Sequence, residues 1–358
     1  MKRWLILSDG TIFEGSALGN DVSVINEIVF TTAMTGYQES ITDQSYNGQI
    51  LIFTYPLVGN YGINNEDNES IFPTCSGIVV KENCEVGSNF RNKMSLSNFL
   101  KNKKITGISD IDTRMLTNKI RDNGTLTAAI VCKESEIQLF LEKLKNFKPK
   151  TNHVEEVSTK NIYYIPGNRY KAVLIDFGLK ISITKELSKR DCGVFVVPYN
   201  ITTDEINKLN PDGIMLSNGP GDPKNLPDQI EMIKELQLKY PIFGICLGHQ
   251  LLALANGLNT KKMLFGHRGI NHPVKDYENN KCYITSQNHG YVVDENSINK
   301  DIVEITHRSL NDNCIEGLSY KNSKSFSVQF HPDSCPGTSD SYYLFDNFIN
   351  SIRQGKEI

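Results

Sequence analysis

Tyr240-Pro-Ile-Phe-Gly-Ile-Cys246-Leu-Gly-His-Gln250-Leu-Leu-Ala-Leu-Ala255 is a short apolar run that ends in a cysteine and turns at once into an apolar helical pattern. Glycines lie two residues to either side of the cysteine, at Gly244 and Gly248. This is the thiol form of the Gly-x-Ser-x-Gly nucleophile elbow, a strand-to-helix turn too tight for side chains at the flanking positions. It lifts the nucleophile into a cleft and sets the sulfur at a helix N-terminus, where backbone N–H groups and the dipole favour thiolate over thiol. An arbitrary free cysteine is a small buried hydrophobe; the strand, the two glycines and the helix set Cys246 apart. Cys75, Cys84, Cys132, Cys192, Cys282, Cys314 and Cys335 have no such setting. None forms a C-x-x-C pair, so these seven read as packing residues and no metal site is expected.

A chain of 358 residues is long for one core, which predicts two domains. Hydrophobic residues at 39% and charged residues at 22% are ordinary for a folded, water-exposed protein. A net charge of −3 with no basic run argues against nucleic-acid binding. The apolar run after Met1-Lys-Arg is too short for a signal peptide, and Ser8-Asp9-Gly10 reads as a hairpin turn. No segment approaches the ~20 apolar residues of a membrane span. Free cysteines without an export signal predict a cytoplasmic protein.

Working outward from the elbow, residues 170–358 alternate strand and helix. Strand-like runs cover Ala172–Asp176, Val194–Val197, Gly213–Leu216 and Ile242–Ile245, and helical patterns cover Ile183–Lys189, Gln229–Lys239, Leu247–Asn256 and Tyr342–Ile352. That alternation predicts a mainly parallel sheet with helices on both faces. Runs at Cys282–Thr285, Ile302–Thr306 and Phe326–Phe330 are expected to extend it or to form a second sheet. Residues 1–150 read as β-rich, with a hairpin at Trp4–Gly15 and helices near Ser95–Asn102, Asp112–Asp122 and Ser135–Asn146. The polar stretch 151–169 is expected to be a linker.

A thiolate nucleophile needs a proton carrier. His331 follows the strand Ser325–Phe330 and is stopped by Pro332, which predicts a place at a strand's carboxyl end, where sheets of this kind bind ligands. Asp333 can orient its ring, completing a nucleophile–base–orienter set. His249 sits in the helix after the elbow and should point back along it, as a hydrogen-bonded packing residue. His153, His267, His272, His289 and His307 are expected to be structural or exposed. Leu216-Ser-Asn-Gly219-Pro-Gly221-Asp-Pro223 is a glycine-rich loop without the Gly-Lys-Ser/Thr of a Walker loop. It suits an oxyanion turn in which the Gly219 and Leu247 N–H groups face a tetrahedral intermediate. Asp176-Phe-Gly178 matches a kinase tripeptide but lacks the accompanying motifs. Together the residues predict thiol-based acyl transfer or amide hydrolysis.

Gly244-Ile-Cys-Leu-Gly-His-Gln250, Asn218-Gly-Pro-Gly-Asp-Pro223 and Phe330-His-Pro-Asp333 resemble the three signatures of class I (triad) glutamine amidotransferases. Thr35-Gly-Tyr-Gln-Glu39, Thr42-Asp-Gln-Ser-Tyr46, Tyr55-Pro-Leu-Val-Gly-Asn60, Asp110-Ile-Asp-Thr-Arg114, Ser286-Gln-Asn-His-Gly290 and Pro336-Gly337 resemble the carbamoyl-phosphate synthase small-subunit family, over essentially the whole chain. The resemblance implies an α/β protein: a β-rich α/β small-subunit domain at 1–150, then a class I amidotransferase domain at 170–358 with a mainly parallel central sheet flanked by helices.

It further implies that Cys246 attacks the side-chain amide of glutamine to form a γ-glutamyl thioester, with His331 moving protons, Asp333 orienting it, and Gly219 and Leu247 as the oxyanion hole. Ser45, Gly219, Gly221, Leu247, Gln250, Asn288, Gly290 and Tyr291 match glutamine-binding positions, and Lys180 matches a position near the active site. Ser45 in the first domain implies a cleft bordering both domains. No cofactor or metal is implied for this chain. By the same resemblance, ATP and magnesium are expected on a large synthetase subunit, an obligate partner that takes the ammonia and makes carbamoyl phosphate from bicarbonate for arginine or pyrimidine synthesis. The family usually has glutamate where Asp333 stands, longer by a methylene or roughly 1.5 Å, and asparagine where Ser182 stands. Two other readings are an amidotransferase subunit for another pathway, such as anthranilate synthesis, and a catalytically silent scaffold.

Overall fold

A computed structural model describes residues 1–356, which divide into two compact units, the first ending at Lys150 and the second beginning at Thr151. In the first, seven strands close a barrel in the spatial order Lys2–Leu7, Ile12–Gly19, Thr106–Ser109, Gly77–Val79, Gln49–Phe53, Val24–Thr31 and Leu126–Val131. The expected hairpin is present as the antiparallel pair Lys2–Leu7 and Ile12–Gly19. Asp112 caps the helix Thr113–Asn123 by accepting from the Met115 N–H at 2.9 Å, and Ser95 caps Leu96–Asn102 in the same way.

The second unit is built on a ten-stranded sheet. Its order is Tyr163–Ile165, Cys192–Pro198, Tyr170–Asp176, Gly213–Leu216, Ile242–Ile245, Phe326–Val328, Ile315–Tyr320, Val303–Ser309, Thr260–Asp276 and Lys281–Val293. The pairings from Cys192–Pro198 through Phe326–Val328 are parallel, and the rest are antiparallel. The late strands thus extend the one sheet. Two apolar cores form, one on each face. Ile233, Leu236, Leu251 and Leu252 pack on one side, Ile183, Leu187, Phe345 and Phe348 on the other. Both faces of the central strands are therefore buried, which is why Ala172–Ile175 and Ile242–Ile245 read as unbroken apolar runs.

The stretch 151–169 is not a linker. His153–Val157 is helical and buries Val154 and Val157, and Tyr163–Ile165 is an edge strand with Tyr164 against Phe195 at 4.5 Å between ring centroids. Its polar composition reflects burial on one face only. The long hairpin Thr260–Asp276 and Lys281–Val293 lacks apolar alternation for a different reason: its covered side chains include His267, Arg268, Gln287 and His289, and its register shifts twice. Among the described residues no helix is long and apolar enough to cross a membrane.

Candidate active site

The strand Ile242–Ile245 lies between parallel neighbours Gly213–Leu216 and Phe326–Val328, so Cys246 leaves the sheet near its centre. Cys246 has φ 53° and ψ −103°, a conformation costing a non-glycine residue about 1–3 kcal/mol. Three backbone bonds hold it there. The Cys246 N–H donates to the Val328 carbonyl at 2.9 Å, the Gly248 N–H to Ser217 at 3.1 Å, and the Gln250 N–H to Cys246 itself at 3.2 Å. A Cβ on Gly248 would stand 2.5 Å from the Leu216 carbonyl oxygen, so the helix Leu247–Ala255 approaches the neighbouring strand as only glycine permits.

The same closeness brings the Gly219 loop to the elbow. A Cβ on Gly219 would lie 2.8 Å from Leu247 Cδ2 and 2.3 Å from the Phe177 carbonyl oxygen. Leu247 opens its helix, where backbone N–H groups lack intrahelical acceptors. Among the described residues, no group accepts from the N–H of either Gly219 or Leu247. The loop is pinned from behind. Ser217 Oγ accepts from the Phe177 N–H at 2.9 Å and donates to the Asn218 carbonyl at 2.7 Å; the Asn218 side chain accepts from the Lys180 N–H and donates to the Gly178 carbonyl. Asp176-Phe-Gly178 is the facing turn, its Asp176 carboxylate accepting from the Gly178, Leu179 and Thr159 N–H groups at 2.8–2.9 Å.

His331 enters from the other side. Its N–H donates to the Ser286 carbonyl at 2.8 Å, tying it to the hairpin strand Lys281–Val293. The ring is 1% exposed, and among the described residues neither ring nitrogen has a hydrogen-bond partner. His331 Nδ1 stands 3.6 Å from Asp333 Oδ1, beyond hydrogen-bond length, so the shorter carboxylate leaves the orienting contact open. Burial opposes a charged imidazole, but Asp333 and the Cys246 sulfur outweigh it and raise His331 to about 10. Asp333 is anchored by its other oxygen, which accepts from Lys180 Nζ at 2.5 Å and from Ser182 Oγ at 2.7 Å. Burial alone would raise the carboxyl; the Lys180 ammonium and His331 instead hold it well below the usual carboxylate range.

The Cys246 thiol rests on a third element. Sγ donates to the Asn288 carbonyl at 3.4 Å. Catalytic contacts commonly tighten only when substrate is bound. Gln250 Nε2 donates to the Tyr291 carbonyl at 2.8 Å and to Gln329 Oε1 at 3.1 Å, so it fixes the strand that carries Asn288, Gly290 and Tyr291. Cys246, Leu247, Gly219, Gln250, Asn288, Tyr291, His331 and Asp333 are therefore linked through direct contacts and one strand. Gly221 has φ 90° and lies further along the loop, beside His153. Ser45 lies in the first unit, in the turn Gln44–Tyr46, its N–H donating to Asp43 Oδ1 at 2.9 Å.

His249 is fully buried with Nδ1 2.8 Å from Ser327 Oγ; burial first, and the charge of His307 second, lower it to about 3. It is the packing residue its helix position predicts. Sequence reading left Lys180 without a role and Ser182 without a consequence, and missed Ser217 and Gln329. The one available signal was that Lys180 and Ser182 follow the Asp176 turn at the carboxyl end of a parallel strand.

Residues 5–130 match the family described as carbamoyl-phosphate synthase small chain, CPSase domain, and residues 173–351 match glutamine amidotransferase class-I. The chain is 56% identical over 351 residues to the carbamoyl phosphate synthase small chain of Streptococcus mutans, covering 98% of this chain and 97% of that one. The small chain of Streptococcus pyogenes gives the same identity and coverage. That of Bacillus cereus is 53% identical over 357 residues, covering 100% of this chain and 98% of the relative.

Proposed function

The chain belongs to the carbamoyl-phosphate synthase small-chain family, and we propose that it hydrolyses glutamine at Cys246 and delivers the ammonia to a larger synthetase chain. Cys246 passes its thiol proton to His331, and Sγ attacks the side-chain carbonyl carbon of glutamine. The amide oxygen becomes an oxyanion, which accepts from the Gly219 and Leu247 N–H groups. His331 gives its proton to the departing nitrogen, the C–N bond breaks, and ammonia leaves a γ-glutamyl thioester on Cys246. Water then attacks the thioester, its proton passing to His331 and from there to the departing sulfur, and glutamate leaves as the thiol is restored.

The observation that carries this reading is the pair of unengaged N–H groups beside a cysteine held at positive φ. Gly221, Gln250, Asn288, Gly290 and Tyr291 hold the α-amino and α-carboxylate end of glutamine, since a buried zwitterion left unpaired costs about 1–3 kcal/mol per group. The partner is a large subunit carrying ATP and magnesium. It joins the ammonia with bicarbonate at the expense of two ATP, in the cytoplasm, and its product feeds arginine or pyrimidine synthesis. Ammonia passes between the chains without entering water, where protonation would remove its nucleophilicity.

A chloroketone analogue of glutamine tests the assignment of the nucleophile. Peptide mapping should find one equivalent of label on Cys246, with free glutamine protecting it. Label on another cysteine, or no protection, contradicts the reading.

A further inference from the structure

Where the hairpin Thr260–Asp276 and Lys281–Val293 meets the strand Ile315–Tyr320, polar side chains from three strands converge on one carboxylate. Glu316 is wholly buried, and His267 and His289 are 6% and 5% exposed. His267 Nδ1 lies 3.6 Å and His289 Nε2 3.9 Å from Glu316 Oε1. Both separations are too long for hydrogen bonds. They are close to the edge of a tetrahedron whose metal–ligand bonds are about 2.0–2.2 Å, an edge of roughly 3.3–3.6 Å.

The rings are turned as metal-bound imidazoles are turned. His267 Nε2 faces Asp312 Oδ2 at 3.0 Å and His289 Nδ1 faces the Tyr291 carbonyl at 2.9 Å, so each outward nitrogen carries a proton toward an oxygen acceptor. That leaves Nδ1 of His267 and Nε2 of His289 directed inward. His267 Nδ1 is buried with no hydrogen-bond partner among the described residues. His289 Nε2 faces Gln287 Oε1 at 2.6 Å, and the amide cannot be reversed to relieve this, because Gln287 Nε2 already donates to Glu316 Oε2 at 3.0 Å. Two acceptors facing each other beside a buried carboxylate call for a cation. Cys314, half-buried, donates its thiol to Glu316 Oε1 at 3.3 Å, a proton that a bound cation would displace.

We propose that His267 Nδ1, His289 Nε2 and Glu316 Oε1 bind a divalent transition metal of the zinc class. The donor set, two imidazoles and one carboxylate, is one that zinc accepts. His289 lies between Asn288, whose carbonyl receives the Cys246 thiol, and Tyr291, whose carbonyl receives Gln250. Metal binding therefore pins the strand that borders the nucleophile.

The test uses the full chain carrying Cys246→Ala, so that the nucleophile cannot take up metal, and reads binding directly by equilibrium dialysis against zinc. One equivalent should bind. Asp312→Ala, at a half-exposed position that orients His267 from outside, should weaken binding by about 10–100-fold. Glu316→Gln should remove it, and cobalt in place of zinc should give the visible absorption of a four-coordinate site. No uptake by the intact cluster, or uptake whose affinity Asp312→Ala leaves unchanged, overturns the proposal whatever the fate of the Glu316 variant. The readout does not pass through glutamine hydrolysis, so it stands or falls separately from the proposed reaction.

Discussion

The two sides of the Cys246 turn are held by different forces. The Cys246 side is fixed by backbone: a strained φ, N–H donors locked to Val328 and Ser217 carbonyls, and a glycine packed on Leu216. The His331 side is fixed by charge: an imidazole without a hydrogen bond beside a carboxylate whose position is set by Lys180 and Ser182. Backbone contacts tolerate almost no displacement, whereas Coulomb attraction falls off slowly with distance. The contrast teaches why Asp333 can stand 3.6 Å from His331 and still hold its proton.

Four substitutions sharpen or break this contrast. Lys180→Met should have the largest effect on stability, about 3–5 kcal/mol, because it leaves Asp333 charged and buried without its partner. Urea unfolding at pH 7 measures it, and Lys180→Met combined with Asp333→Asn should recover part of the loss. Gly248→Ala should lower glutamine turnover by roughly a hundredfold, since moving the helix start displaces both Cys246 and the Leu247 N–H. A turnover within threefold of the parent would mean that the backbone side is softer than its contacts imply.

The third effect is a shift in pH. A histidine raised to about 10 keeps its proton up to that pH, so glutamine hydrolysis should fall on an alkaline limb near there, where His331 can no longer protonate the leaving nitrogen. Asp333→Asn removes a group that raises His331, so the limb should move to lower pH. The same proton stabilises the fold: its contribution is complete below the ordinary histidine value near 6.5 and is lost as pH rises through about 10. Asp333, being lowered, contributes in the opposite sense, above the ordinary carboxylate value and lost as pH falls. The smallest effect is Ser182→Ala, about 1 kcal/mol, because Lys180 still holds the same oxygen.

Legibility in the sequence follows the same division. The elbow could be read because strand, glycine, cysteine, glycine and helix are contiguous, and the backbone forces that order. His331 could be read from a strand stopped by proline. Lys180 and Ser182 could not be given roles, because they reach Asp333 from some 150 positions away in the chain. The strand Thr260–Asp276 escaped notice because most of the residues it buries are polar, so no apolar alternation marks it. His267, His289 and Glu316 meet only through strand pairing, and no spacing within one segment announces them. The polar stretch 151–169 misled because two buried valines are enough to seat a short helix.

The central claim is that Cys246 releases ammonia from glutamine for a separate synthetase chain. Its most direct test is Cys246→Ala assembled with the large subunit, with carbamoyl phosphate synthesis measured from glutamine and from added ammonia. Synthesis from glutamine should fall by at least about a thousandfold, the scale expected for a lost nucleophile, while synthesis from ammonia persists at the parent rate. Continued use of glutamine by the Cys246→Ala complex would contradict the account.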